Sequence, residues 1–300
     1  MGLKKMIQIV LEQGAEISKA YANPQSVKQT FHDATDLSGV FDAAHLTTTS
    51  IDRICSEIFQ QRSREFFPQH VPVDEEKNMV VVVTAGQKYL ISDPVDGSFN
   101  LSVGIQPVCT ILGESLGQDL TSVTVYIPHT DRKLGELYFA QKGGGAFLSL
   151  VVPYNSVVEL DILSLITNAK RLKVSSETDI GKVAVNFEST SDYVPLGEIY
   201  NELRCTSSPR YIGSSGAILC QVAEGRYGVY AHNSLEPWDT LPQLLVTEAG
   251  GVVWNFEGQP WKFKGYGVRD SIIAAANGDL YNAVLNIIRP STSNDIRNHI

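Results

Sequence analysis

Asp93-Pro94-Val95-Asp96-Gly97-Ser98-Phe99-Asn100 closes an apolar run and is the segment best equipped for chemistry. Two carboxylates three residues apart, with a proline between them, can turn towards one point where a strand ends. The backbone carbonyl of Val95 can add a third oxygen. Hard oxygen donors of this kind suit Mg²⁺, with Mn²⁺ as the alternative. Gly97 permits a sharp turn, and the amides of Gly97 and Ser98 can then face a phosphate at the start of the next helix. A plain strand-to-turn junction draws on the same residue types. Two more acidic places stand out, Asp74-Glu75-Glu76 and Glu236-Pro237-Trp238-Asp239. Alone, the first reads as a solvated acidic turn, and the second as a carboxylate complementing the dipole of the helix it opens. Acids from three separate places, each at the end of an element, together make a site for two or three divalent ions.

These residues need elements to hold them. Residues 4–21 predict an amphipathic helix, and Ile51, Ile54, Cys55, Ile58 and Phe59 predict another, with caps offered by the threonines at 47–49. The polar stretch 23–39 has no clear period. From residue 79 the period changes. The runs 79–84 and 87–92 predict a hairpin about Ala85-Gly86, which would return Asp74-Glu75-Glu76 to the end of the sheet where Asp93 lies. Strands at 108–113, 122–127 and 135–141 follow, up to the turn Lys142-Gly143-Gly144-Gly145. Later, strands are predicted at 182–187, 227–231, 252–255 and 271–276. Helices are predicted at 214–224, 237–249 and 280–288, the second opened by a proline and ended by Gly250-Gly251. Helices before and after a strand-rich middle imply a layered αβα arrangement with a soft division near residue 150.

Composition narrows the function. The 300 residues are 43% hydrophobic and 19% charged, with a net charge of −9 and a pI near 5.2. The basic footprint of a nucleic-acid binder is absent, and an anionic membrane surface would repel the chain. Cys55, Cys109, Cys205 and Cys220 are widely spaced, and three lie in apolar runs, which points to reduced thiols in a cytoplasmic protein. The short, polar-interrupted start does not read as a signal peptide, and no run of 18 apolar residues occurs. The six scattered histidines offer no zinc spacing.

Asp93-Pro94-Val95-Asp96-Gly97-Ser98 and Trp238-Asp239, followed by Glu248-Ala249-Gly250-Gly251, resemble the two signature motifs of the inositol monophosphatase/fructose-1,6-bisphosphatase superfamily. Lys142-Gly143-Gly144-Gly145-Ala146-Phe147 resembles its hairpin turn. Tyr211-Ile212-Gly213-Ser214-Ser215 with Val222-Ala223-Glu224-Gly225 resembles its second-half helix, so the likeness runs through nearly the whole chain. It implies an α+β fold, a layered αβαβα sandwich. Residues 1–150 would carry most of the metal ligands, and 151–300 would carry Asp239 and the residues that select substrate. The implied activity is Mg²⁺-dependent hydrolysis of a small phosphorylated metabolite, a phosphate monoester.

Carried over residue by residue, the resemblance makes Glu76, Asp93, the Val95 carbonyl, Asp96 and Asp239 the metal ligands. Glu75 takes the place of Glu76 if the acidic turn is shifted by one. Asp52, in Asp52-Arg53-Ile54-Cys55-Ser56-Glu57-Ile58-Phe59, and the hydroxyl of Ser98 (where threonine is more usual) activate the attacking water beside Glu76. Asp96, Gly97, Ser98, Asp239, Ser214 and His232 face the substrate. The upstream lysine often found in the family has no clear counterpart in 23–39. His232 stands where a glutamate that contacts inositol is common, Glu236 offers another polar position, and Asn186-Phe187-Glu188-Ser189 departs from the usual strand end. Fructose-1,6-bisphosphatase, 3′-phosphonucleotide phosphatase and a non-catalytic metabolite-binding relative therefore stay open beside inositol monophosphatase. A homodimer and lithium inhibition are further family expectations.

Overall fold

A computed structural model describes residues 2–22, 29–31, 47–77, 81–129, 134–151, 161–189 and 196–293. The first part holds α1 (Gly2–Ala22), β1 (Gln29–Phe31), β2 (Thr47–Thr49), α2 (Ser50–Phe66), β3 (Val71–Asp74), β4 (Lys88–Asp96) and α3 (Ser98–Ser102). Then come β5 (Cys109–Leu116), β6 (Asp119–Ile127), β7 (Gly135–Gln141), β8 (Gly145–Val151), α4 (Ile162–Thr167) and β9 (Lys170–Arg171). The remainder holds β10 (Ala184–Glu188), α5 (Leu196–Thr206), β11 (Ser208–Arg210), α6 (Ser215–Ala223) and β12 (Val229–Leu235). It ends with α7 (Gln243–Glu248), β13 (Val252–Trp254), β14 (Asp270–Ala275) and α8 (Gly278–Ser293).

Two sheets organise the chain. The larger runs β3-β4-β5-β6-β7-β8-β9 and the smaller β11-β10-β12-β14-β13. Along β4 and β7, side chains alternate between two hydrophobic clusters: Tyr89 and Ile91 point one way and Leu90 the other, and Tyr138 and Ala140 oppose Leu137 and Phe139. A strand buried on both faces needs a layer on each side. Helices α1 and α2 cover the outer face of the large sheet, α6 and α7 lie between the sheets, and α8 with α5 closes the outer face of the small one. The αβαβα sandwich follows.

Helix α2 starts in a capping box. Thr49 accepts the amides of Ile51 and Asp52, and its own amide donates 2.7 Å to Asp52 Oδ2. Cys55, Cys109 and Cys220 are buried, Cys205 is exposed, and all four are free.

Three expectations need correction. Residues 81–84 are not a strand, and 79–80 lie outside the described residues. The Tyr89 hydroxyl takes the Thr84 amide at 2.8 Å and donates to the Val82 carbonyl at 3.2 Å, replacing a ladder. The partner of β4 on that edge is β3, in parallel, with Asp74 opposite Ser92. Helix α7 starts at Gln243 instead of residue 237. Pro242 has no N–H to give back to Trp238, so 237–242 forms a run of turns. Strands β8 and β9 carry the large sheet beyond the turn at 142–145, with Gly145 opposite Gln141 and Arg171 opposite Phe147. Most of 23–39 lies outside the described residues.

Candidate metal-dependent active site

Parallel pairing of β3 with β4 performs the task expected of a hairpin. Asp74 leaves β3 beside Ser92, and the Glu75 amide donates 3.2 Å to the Ser92 carbonyl, one residue before Asp93. Asp74 itself is buried and structural. Its Oδ2 accepts Ser56 Oγ at 2.7 Å and Gln60 Nε2 at 2.9 Å, and Oδ1 accepts the Glu76 amide at 3.2 Å. The acidic turn is thus locked, with Glu75 and Glu76 half-buried in it. Glu75 shares a hydrogen bond with Asp93 and feels the charge of Asp239. Glu76 feels Asp52 and Asp74.

At the end of β4 the chain bulges away from β5 between Asp93 and Asp96. The Val95 amide folds back onto Asp93 Oδ1 at 3.0 Å. Gly97 then adopts φ 92°, a left-handed conformation, where a Cβ would also press on the Pro107 and Gly213 carbonyls at 3.2 and 3.3 Å. That turn presents Ser98, whose hydroxyl bonds Asp52 Oδ1 and lies 2.8 Å from the Val95 carbonyl. Asp52 is 1% exposed; its other oxygen is held by Thr49.

Asp96 faces the second half. Its Oδ2 accepts Ser214 Oγ at 2.6 Å, the Gly216 amide at 2.8 Å and the Cys109 thiol at 3.1 Å. Ser214, expected to face substrate, is the N-cap residue of α6 and donates its hydroxyl hydrogen to Asp96. Asn100 ties the same loop to the signature turn, donating to the carbonyls of Pro107, Ile212 and Gly213 at 3.0, 2.9 and 3.3 Å. From the other side, Glu188 Oε1 accepts the amides of Ile212 and Gly213 at 3.1 and 3.0 Å. Asp239 sits in the turns before α7, with the Glu236 amide bonded to its carboxylate. His232, near the end of β12, is buried opposite Glu188 of β10 and accepts the Ser234 amide on Nδ1 at 3.0 Å.

Carboxylate oxygens of Asp93, Asp96 and Asp239 come within 4.8 Å of one another, and all three side chains are buried. Burial first, and then the charge of the neighbouring acids, pushes Asp93 and Asp239 well above the carboxylate range. Glu75 is pushed well up too, by burial and then by Asp239, Glu76 and Asp52, against the hydrogen bond from Asp93. Glu76 rises to about 7, through burial and then Asp52 and Asp74. Asp52 rises by burial against the bonds from Ser98 and Thr49. Buried like charges at this spacing require protons or a cation to neutralise them. The all-oxygen donor set fits a hard divalent ion.

Sequence reading noted Glu188 only within a departing strand end and gave no role to Asn100, Gly216 or Tyr266, whose hydroxyl donates 3.2 Å to the Glu75 carbonyl. The Asp74 clamp left one trace, the polar series Asp52, Ser56, Gln60 at four-residue steps beside the apolar stripe of α2.

The profile of the family described as "Inositol monophosphatase family" matches residues 5–293. The chain belongs to that family. It is 28% identical to human (Homo sapiens) inositol monophosphatase 2 over 265 residues, 85% of this chain and 80% of the relative. Its fold resembles that of the extragenic suppressor protein suhB from Bartonella henselae, with TM-score 0.75, 20% identity and coverage of 96% and 98%. An IMPase/NADP phosphatase complexed with Mg²⁺ and phosphate matches with TM-score 0.66 and 21% identity, covering 89% of each chain. Membership of this family makes the chain a phosphoric monoester hydrolase. Among the described residues, no helix is long and apolar enough to cross a membrane.

Proposed function

We propose that this inositol monophosphatase family member is a Mg²⁺-dependent hydrolase of a small phosphorylated metabolite, with two or three ions held by Glu75 or Glu76, Asp93, the Val95 carbonyl, Asp96 and Asp239. The observation that carries this reading is the convergence of buried Asp93, Asp96 and Asp239 next to the Ser98–Asp52 pair. Bound Mg²⁺, or Mn²⁺, supplies positive charge against the phosphate oxygens and lowers the pKa of a water. The chain's own groups handle the proton. Ser98 Oγ directs its hydrogen at Asp52 Oδ1 and the Val95 carbonyl, so its oxygen is free to accept the proton of the attacking water. Asp52 Oδ1 is the next acceptor, and Thr49 holds that carboxylate in orientation. The Gly97 and Ser98 amides hold the phosphate. Ser214, Asp239 and His232 line the leaving-group side, in the half from 151 to 300, while 1–150 supplies the other ligands.

The test is phosphate release with Mg²⁺ from inositol monophosphate, fructose 1,6-bisphosphate and a 3′-phosphonucleotide, by the wild type and by Asp96→Asn. The wild type should release phosphate and Asp96→Asn should not; equal rates in both would exclude the mechanism. The His232 and Glu188 departures support a preferred substrate other than inositol monophosphate. A clear lead for inositol monophosphate over the rest would overturn that part. A cytoplasmic homodimer completes the proposal; cell fractionation tests the compartment, and sedimentation showing a monomer at micromolar concentration would remove the dimer.

A further inference from the structure

The second-half rim of the site carries an arginine whose guanidinium is half used. Arg269 immediately precedes β14, and the antiparallel register of β12 and β14 sets Leu235 opposite Asp270. Arg269 therefore lies beside Glu236, and its Nε donates to Glu236 Oε1 at 2.6 Å. Among the described residues, Glu236 is the one partner it hydrogen-bonds, and 38% of the side chain is exposed. Glu236 belongs to the site: its amide bonds the Asp239 carboxylate. Its Oε2 is buried without a partner, so Arg269 is the contact that compensates this carboxylate and is held by it in turn.

An arginine fixed through Nε keeps its Nη donors as a planar fork for a second oxyanion. The other basic groups acting on the acidic cluster, Arg53 and Lys77, act on Glu76 from the first half. Arg269 acts on Asp239 from the second half. Ions held by the carboxylates serve the phosphate that is hydrolysed; nothing in that work requires Arg269. We propose that Arg269, steered by Glu236, selects substrates that carry a second anionic group, a phosphate or a carboxylate, besides the phosphate that is hydrolysed. This inference rests on the phosphatase reading above.

Two matched pairs test it, with Mg²⁺ present. Fructose 1,6-bisphosphate against fructose 1-phosphate isolates a second phosphate, and 3-phosphoglycerate against glycerol 3-phosphate isolates a carboxylate. The wild type should prefer the doubly anionic member of at least one pair. Arg269→Gln should lower that preference about tenfold or more, chiefly through KM, with Arg269→Lys between the two, because a point charge replaces a fork. The double variant Arg269→Gln/Glu236→Gln restores a neutral pair and should show the same loss if the single variant unfolds. A wild type without preference in either pair, or equal losses on both members of each pair, overturns the inference and leaves the phosphatase reading standing. A wild type that releases phosphate from none of these compounds, nor from inositol monophosphate, overturns both.

Discussion

Asp93→Asn separates a metal ligand from a structural acid. Two like unit charges about 4 Å apart repel by about 4 kcal/mol at an effective dielectric constant of about 20. The metal-free protein lowers that cost by keeping a proton between Asp93 and Glu75, which is why both are pushed well up by burial and by neighbouring charge. Asparagine reproduces the protonated acid. Its amide can donate to Glu75, and its oxygen can still accept the Val95 amide, now 3.0 Å from Asp93 Oδ1. In EDTA the variant should match or exceed the wild type by up to about 1 kcal/mol. With an unfolding entropy of about 2.1 cal/mol/K per residue, that is a Tm rise of at most about 2 °C over 300 residues. Mg²⁺ at a hundred times its Kd should stabilise the wild type by about 2.7 kcal/mol, or about 4 °C on the same scale. The variant should gain less than half of that and lose about 10²- to 10³-fold in kcat. Thermal scanning with and without Mg²⁺ reads both effects. A variant several degrees below the wild type in EDTA, or one with an undiminished response to Mg²⁺, would refute the assignment of Asp93 as a ligand.

Ser98→Ala removes the hydroxyl between Asp52 and the Val95 carbonyl. It should lower kcat about 10²-fold or more with little change in the Mg²⁺-induced Tm shift; an unchanged kcat would rule Ser98 out of the proton path. Gly216→Ala puts a Cβ 2.6 Å from Ile111 Cδ1, 2.8 Å from Cys109 Sγ and 3.0 Å from Asp96 Oδ2. The overpacking should cost about 1–3 kcal/mol, read as a lower urea midpoint. Glu76 has a folded pKa raised to about 7 from its ordinary 4.5, so its contribution to metal-free stability is full below pH 4.5 and is lost as pH climbs through 7. Tm in EDTA should fall across that window, and saturating Mg²⁺ should flatten the fall; a rising Tm in EDTA would contradict the sign.

The parts of the fold legible beforehand were those with a strong local period. The 135–141 run became β7, and the stripe from Ile51 to Phe59 became part of α2. Where a tertiary contact replaced a local one, the sequence reading failed. The apolar run at 81–84 looked like a strand, but the Tyr89 hydroxyl takes up its polar groups. A second failure was local: the helix expected from residue 237 starts late because Pro242, though apolar, cannot donate. The convergence of Asp93, Asp96 and Asp239 was legible in the spacing of the signature acids. The groups that aim them were not, since Ser214 and Gly216 lie 118 and 120 residues from Asp96.

Those distant donors create an asymmetry within the cluster. Asp96 accepts a hydroxyl, two backbone amides and a thiol, all neutral, which stabilise its charge without competing as cations. Burial raises Asp96 and these hydrogen bonds act against the rise, whereas at Asp93 and Asp239 neighbouring acids add to it. Within the convergent trio, Asp96 is thus the carboxylate whose charge neutral donors stabilise, while Asp93 hydrogen-bonds Glu75. On the reading proposed above, a divalent ion held here would compete with protons for these carboxylates, so its binding would release protons. Because three of the groups that hold Asp96 belong to the start of α6 and the loop before it, the ligand is oriented only when the two sheets are packed together. The acids of β4 and Asp239 are brought to the same seam. On the proposed reading, metal affinity would depend on the packed interface as much as on the signature segment, and a substitution that loosens α6, such as Gly216→Ala, should weaken the Mg²⁺-induced Tm shift as well as the fold.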